Sequence, residues 1–495
     1  MGRPAFTGKG RELEELATEK PAKLLFKYSW PALVSMSLNA LYAVVDRIFI
    51  GKGCGTDAMA GLTLAMPVMM LFGAFGVFVG AGHSAVLSIK LGEGDRPACE
   101  KLLGELVAVK LLFFFILPPL VFFNLDTVLD WCGAAGVTAG AREAAKTYLG
   151  TVVFSHLFSH MAFGLSAMQR AEGGAIRSMY CMVAGFGLNL LLDPIFIFGL
   201  DMGISGAAWA TNIAMLASCL WALGYYWRGA TVVRLRLRRI RLYGNLLLRT
   251  SGIGLAPFLQ QAMSSLIAVS LQVAFVKWIP DETAGTEQIA SLGVFHSALI
   301  LIIMPILGTQ QGLQPIIGFN WGARNFRRVL GTLKTGAWAT AALCLAAFAV
   351  QVVPPFPRLV ASMFVDTSNA RLVDLAAHDL QLSNCMIWCI FVNVVATTYF
   401  QSIGRPKIAI FLSMLRQGVC LLPIVWILPF FMEDKALAIW LSMPVSDVLC
   451  NVATIPPILA HARFLSRIRE RGGRGPGAVR RLARQVDRCG GKMVE

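Results

Sequence analysis

Charge in this chain is confined to short clusters between long apolar runs. Only 15% of its 495 residues are charged and 56% are hydrophobic. A soluble protein of that size would spread charge over its helix faces, so the pattern is that of a polytopic membrane protein. Twelve runs qualify as spans: 24–50, 61–90, 102–124, 143–168, 175–199, 204–227, 245–278, 288–318, 329–353, 377–402, 407–431 and 436–460. Each crosses a hydrocarbon core about 30 Å thick at about 1.5 Å per residue, and the fourth is the least hydrophobic. The fold class expected is all-α, with twelve transmembrane helices.

The second half repeats the first about 230 residues later. Gly80, Ala81, Gly82 followed by Leu91 and Gly92 answers to Gln310, Gln311, Gly312 followed by Trp321 and Gly322. Ser205–Thr211 (SGAAWAT) answers to Ala436–Ser442 (ALAIWLS), with Trp209 opposite Trp440. Identity is weak but the spacing holds, which implies two pseudo-symmetric six-helix lobes with a site within or between them. The domains expected are an N-terminal segment 1–23, a first lobe 24–230, a basic linker 231–244, a second lobe 245–462 and a basic tail 463–495. Low complexity is confined to the Gly/Arg-rich stretch 472–481.

The net charge of +16 raises the question of a nucleic-acid partner, but its distribution argues against one. Basic residues fill alternate loops: Lys90, Arg96 and Lys101; Arg170 and Arg177; Arg324, Arg327 and Arg328; Arg405 and Lys407. The largest internal cluster, Arg228 to Arg249, separates the halves, while the opposite loops carry Asp126, Asp130, Asp201, Asp281, Glu433 and Asp434. This positive-inside pattern places both termini in the cytoplasm. Membrane lipids, including anionic ones at the basic tail, are the expected contacts. The first apolar run is too long for a cleavable signal and lacks a small-residue cleavage site. The eleven cysteines contain no CxxC pair and read as small apolar filler; a disulfide between Cys54 and Cys132 is one alternative.

An ionised Asp at a helix centre costs about 2.5–3.5 kcal/mol on insertion scales, so acids inside spans are the first candidates for chemistry. Asp46 lies toward the outer end of the first span beside Arg47, and reads either as a helix-end carboxylate in contact with water or as part of a site. Asp193 lies deep in the fifth span with Asn189 four residues earlier, on one helix face. Pro194 has no N–H and frees the carbonyl of Leu190. This cluster suits a proton or a small hard cation such as Na⁺, or else a structural polar contact between helices. In the second half, Gln272 stands at the position of Asp46, and Cys420 and Ile424 at those of Asn189 and Asp193. The late intramembrane acid, Asp447, reads as the partner of Arg416 in a structural ion pair. There is no P-loop. His156 and His160, spaced i,i+4, read as packed polar residues rather than zinc ligands. The Met66–Met70 stretch reads as core, or as soft lining if it faces a cavity.

These residues resemble the MATE (multidrug and toxic compound extrusion) transporters over about residues 20–460, most of all their MepA-like bacterial branch. The segments that carry the resemblance are 31–51 (PALVSMSLNALYAVVDRIFIG), 189–211 (NLLLDPIFIFGLDMGISGAAWAT), 320–324 (NWGAR) and 399–417 (YFQSIGRPKIAIFLSMLRQ). The resemblance implies a V-shaped pair of six-helix lobes that exports amphipathic, often cationic compounds in exchange for H⁺ or Na⁺, from the bacterial inner membrane. It further implies a cation site at Asp46, Asn189, Asp193 and Thr211 and a hinge at Pro31. Where some relatives carry an acid on span seven, this chain has Gln260 and Gln261. A substrate cavity is expected around Asn39, Met66, Met69, Gln260, Gln261 and His296. No cofactor beyond the coupling ion, no nucleic acid and no enzymatic activity are expected. A duplicated chain supplies both lobes, so a monomer suffices. Two rival readings are a lipid-linked saccharide flippase, which would want several cations in the cavity, and a membrane prenyl-transferase, which would want clustered acids for Mg²⁺.

Overall fold

The computed structural model describes residues 11–132, 138–227, 232–279, 281–364 and 370–471. The expected runs all form helices, because in lipid a backbone must satisfy its own N–H and C=O groups. The spanning helices of the first half are α1 (Pro21–Gly51), α2 (Asp57–Glu93), α3 (Arg96–Phe122), α4 (Ala139–Ala171), α5 (Ala175–Gly199) and α6 (Gly203–Trp227). Those of the second are α7 (Gly244–Trp278), α8 (Glu287–Gly322), α9 (Phe326–Val352), α10 (Ala370–Ser402), α11 (Pro406–Phe430) and α12 (Lys435–Arg467). As the composition implied, α4 has the lowest mean hydropathy, 1.2. The one departure is α10, a bent pair that turns by 49° near Ile390. There the side chains of Ser383 and Asn384 bond to the carbonyls of Asp379 and Leu380, competing with the helical ladder. Cys54 and Cys132 are both free thiols, so the disulfide alternative falls. Arg228 and the stretch 472–481 lie outside the described residues.

Two of the apolar cores each stay within one half of the chain, while the largest, from Leu13 to Phe319, joins the halves. One core runs from Ile50 to Ala208, within the first half, and another from Ile267 to Met443, within the second. The lobes meet near the face that carries the chain termini, through glycines. A Cβ on Gly92 of α2 would sit inside van der Waals contact of the Phe319 carbonyl and 2.8 Å from the Ala323 nitrogen of α8. Reciprocally, a Cβ on Gly322 would run into the Ile89 carbonyl and lie 3.1 Å from the Glu93 nitrogen. These are the glycines that the repeat pairs, so the seam inherits the pseudo-twofold symmetry of the sequence. Gln314 adds a cross-seam bond, donating to the Ala81 carbonyl at 3.3 Å.

The N-terminal helix Arg11–Thr18 straps this face. It buries Leu13 and Leu16. Glu12 pairs with Arg177 of the first lobe, while Arg328 and Asn320 of the second donate to the carbonyl of Leu16 at 3.2 and 3.1 Å. Arg328 also bonds to the carbonyls of Thr18 and Glu19, satisfying acceptors that the end of a helix leaves free.

In the loop between α4 and α5, Glu172 is 1% exposed. Burial pushes its carboxyl up to about 8, against the opposite pull of the Tyr226 hydroxyl, the Val233 and Val232 N–H groups and Arg177. The folded protein therefore holds a proton that the unfolded chain releases near 4.5. The resulting stability is complete below that pH and is lost as pH rises to about 8. In a thermal-denaturation series, the midpoint should fall over this range, and Glu172→Gln should flatten the fall. An unchanged slope in Glu172→Gln would assign the pH dependence elsewhere.

Candidate functional site

On α5, Asn189 and Asp193 are one turn apart and both fully buried, at 0% exposure. Asn189 Nδ2 donates to Asp193 Oδ1 at 3.2 Å and to Thr211 Oγ1 of α6 at 3.3 Å. Across from them α1 delivers Asp46, 6% exposed, with its carboxyl side chain to side chain against that of Asp193. Asp46 is thus buried against Asp193 and not a carboxylate in contact with headgroups; its neighbour Arg47 is exposed and reaches the Met66 sulfur at 3.7 Å. Tyr42, one turn before Asp46 on the same face, bonds to Thr211. Pro194 follows directly, and α5 then continues through the π-helical turn Ile195–Gly199, as expected where a missing N–H interrupts the ladder.

Two carboxylates in such contact repel unless something positive lies between them. The acceptors around them are also unsatisfied: Asp46 Oδ1, Asp193 Oδ2 and Asn189 Oδ1 are buried without a hydrogen-bond partner. With Thr211 Oγ1, this is a set of hard oxygen atoms contributed by three helices. Such a set fits a shared proton or one small alkali cation. It does not fit a transition metal, which would draw on thiolate or imidazole, and the described residues hold no cluster of three or more His, Cys, Asp or Glu side chains.

Beside the site, inside the first lobe, is a cavity of about 290 Å³. Asn39 lines it, and Pro31 sits a turn above Ser35, whose hydroxyl donates to the Pro31 carbonyl at 2.9 Å. Met69 stands behind the wall, its sulfur 3.2 Å from His156 Nε2. Met66, Gln260, Gln261 and His296 do not line this cavity, and Gln260 and Gln261 are exposed on α7. Three of these four belong to the second half, and the cavity is formed almost wholly by the first. The reading from sequence also misplaced charge. Arg170, assigned to a loop, is 9% exposed and lines the cavity. Lys110 of α3 is 3% exposed, with its ammonium donating to the Gly76 carbonyl at 3.0 Å. His156 stacks on Phe72 at 4.5 Å between centroids and, with His160, faces the cavity.

The second lobe does not copy the acid pair. Arg416 Nε donates to Asp447 Oδ1 at 2.7 Å, the ion pair expected, and it lies in a π-helical turn of α11, Leu415–Leu421. Removing one partner strands the other charge, so Asp447→Asn should destabilise the protein by about 3–5 kcal/mol. Joint replacement of Arg416 and Asp447 by apolar residues of similar volume should recover most of that loss, as read by chemical denaturation. A further buried acid, Asp379 on α10, accepts from Ser291 at 2.6 Å; it stands at the edge of the expected span, where hydropathy alone does not mark it.

The MatE family model matches residues 31–195 and 261–427, one segment in each lobe. The chain belongs to the MatE family. Among relatives, the multidrug export protein MepA of Staphylococcus aureus (strain MRSA252) is 24% identical over 438 residues, covering 88% of this chain and 92% of that protein. The fold is similar to that of an outward-facing multidrug resistance MATE family transporter of the MOP superfamily, with a TM-score of 0.83 and 22% identity over 92% of this chain and 98% of the other. The MATE multidrug transporter DinF-BH gives a TM-score of 0.79 and 30% identity over 88% of this chain and 95% of its own. Within this MatE chain, the two matched segments contain the acid pair and Arg416 of the second-lobe ion pair respectively.

Proposed function

We propose that this MatE protein is a secondary active multidrug exporter of a bacterial inner membrane, moving amphipathic compounds outward in exchange for H⁺ or Na⁺. The observation that carries the reading is the contact of Asp46 with Asp193 among orphaned buried oxygens. An arrangement so costly in a membrane is retained where a small cation comes and goes. The relatives' names speak of multidrug export, and the two-lobe architecture is theirs.

The basic seam face is cytoplasmic by the positive-inside distribution. The glycine contacts and the N-terminal strap join the lobes on that face, as an outward-facing state requires. A cation on Asp46 and Asp193 removes their repulsion and their desolvation cost, and favours a rearranged α1 bent near Pro31. Drug arriving from the cytoplasm favours the other state. Coupling needs only that each ligand prefer a different state, and a typical coupling is about 1–3 kcal/mol. One chain supplies both lobes, so the monomer is the working unit, with lipid around it and no cofactor beyond the coupling ion. A flippase for a lipid-linked pyrophosphate would want several cations in the cavity. Here Arg170 is the one guanidinium on the wall and Lys110 is turned onto a carbonyl. The test is accumulation of ethidium and of 9-anthroate in cells expressing the chain. Lower accumulation of at least one than in empty-vector cells is expected, and equal accumulation of both would remove the export reading.

A further inference from the structure

We propose that the cavity of the first lobe recognises its cargo through an anionic group, a carboxylate seated on Arg170. The inference deepens the export reading and rests on it.

Three observations lead there. The cavity walls are apolar and aromatic, with Phe163, Met182 and Phe186 along them, and no Asp or Glu lines it. Its one permanently charged lining residue is Arg170, buried one residue before the end of α4. No acid lies within ion-pair distance of that guanidinium among the described residues. Its hydrogen-bond company is neutral, since Nη1 donates to Ser166 Oγ at 3.2 Å and to Ser178 Oγ at 2.6 Å. These hydroxyls tie one nitrogen and fix the plane of the group, but they supply no countercharge. Lys110 lies just outside the wall, its Nζ donating to the Gly76 carbonyl at 3.0 Å.

An uncompensated buried cation is expensive unless a ligand completes it. Arginine presents five N–H donors in a planar fork, two of which match both oxygens of a carboxylate. A hydrophobic body carrying one carboxylate therefore fits the chemistry on every side: apolar wall for the body, guanidinium for the charge. A compound with positive charge alone meets Arg170 with no acid to offset it. The wall also carries Tyr42, bonded to Thr211 beside the acid pair. A cargo that also bears a basic group would then lie with that end toward Asp46 and Asp193, where it would compete with the coupling cation.

The test uses the purified full chain in detergent and a matched fluorescent pair, 9-anthroate and its methyl ester, in binding titrations. The wild type should bind the acid about tenfold more tightly than the ester, in line with a charge-assisted bidentate contact. In Arg170→Gln the ratio should fall to about one, while Arg170→Lys, which keeps the charge but loses the fork, should give a ratio between the two. A wild type without preference, an Arg170→Gln protein that keeps it, or equal loss in Arg170→Lys would each overturn the proposal. Should Arg170→Gln not fold, Ser159→Asp leaves the bonds to Ser166 and Ser178 in place and sets a carboxylate on the cavity wall; it should abolish the preference, and persistence would overturn the proposal. Export is read separately, as cellular accumulation of both ethidium and 9-anthroate. A preserved anthroate preference with neither compound exported sinks the export reading and leaves the Arg170 site standing.

Discussion

Asp193→Asn should reduce cation-driven drug export to the level of cells without the protein, while leaving the chain folded and in the membrane. Asparagine has the size of aspartate and its Oδ1 can still accept from Asn189 Nδ2, so packing at a position of 0% exposure is kept. The negative charge that a proton or Na⁺ neutralises is gone, and with it the differential affinity that ties ion to drug. A coupling of about 1–3 kcal/mol corresponds to about 5–150-fold between states, all of it forfeited. Asp46→Asn should behave alike, because each acid acts through the other. Export comparable to wild type in either variant, with expression matched by immunoblot, would take the carboxyl pair out of the mechanism.

The second large effect is expected at the seam. Gly322→Leu should stop the terminal face from closing and abolish turnover without touching the acid pair. The obstruction is backbone, since any Cβ there meets the Ile89 carbonyl and the Glu93 nitrogen, and neither can turn aside as a side chain would. Gly92→Leu, the pseudo-symmetric change, meets Phe319 and Ala323 and should give the same result. Both variants should favour the opposite state of the V. A Lys90→Cys reporter, at a half-buried position beside the seam, would show this as faster labelling from the cytoplasmic side. Wild-type turnover in both glycine variants would mean that the seam does not close during transport.

The spans were legible because hydrophobic length is a direct physical requirement of lipid, and twelve runs separated by charge leave little freedom. The bend of α10 was not legible, since it contains neither proline nor glycine at the break and rests on Ser383 and Asn384 bonding back onto the helix. The Asn189–Asp193 pair followed from its i,i+4 spacing. Asp46 was different: nothing in local spacing brings α1 to α5, and its place beside Asp193 came from family resemblance. Arg170 and Lys110 were invisible as cavity charges because a basic residue close to a helix end looks the same in sequence whether it faces headgroups or the inside of a bundle. Only the packing of α4 against α5 distinguishes the two. The cavity assignments on Gln260, Gln261 and His296 reflect the same ambiguity, since a polar residue in a span marks an inward face or merely an exposed one.

The central claim, that the Asp46–Asp193 pocket trades a small cation for drug, is tested most directly by dye efflux from proteoliposomes under separately imposed pH and Na⁺ gradients. The account predicts that at least one gradient drives efflux through the wild type and that neither drives it through Asp193→Asn. Efflux that ignores both gradients, or that survives in the variant, would contradict it.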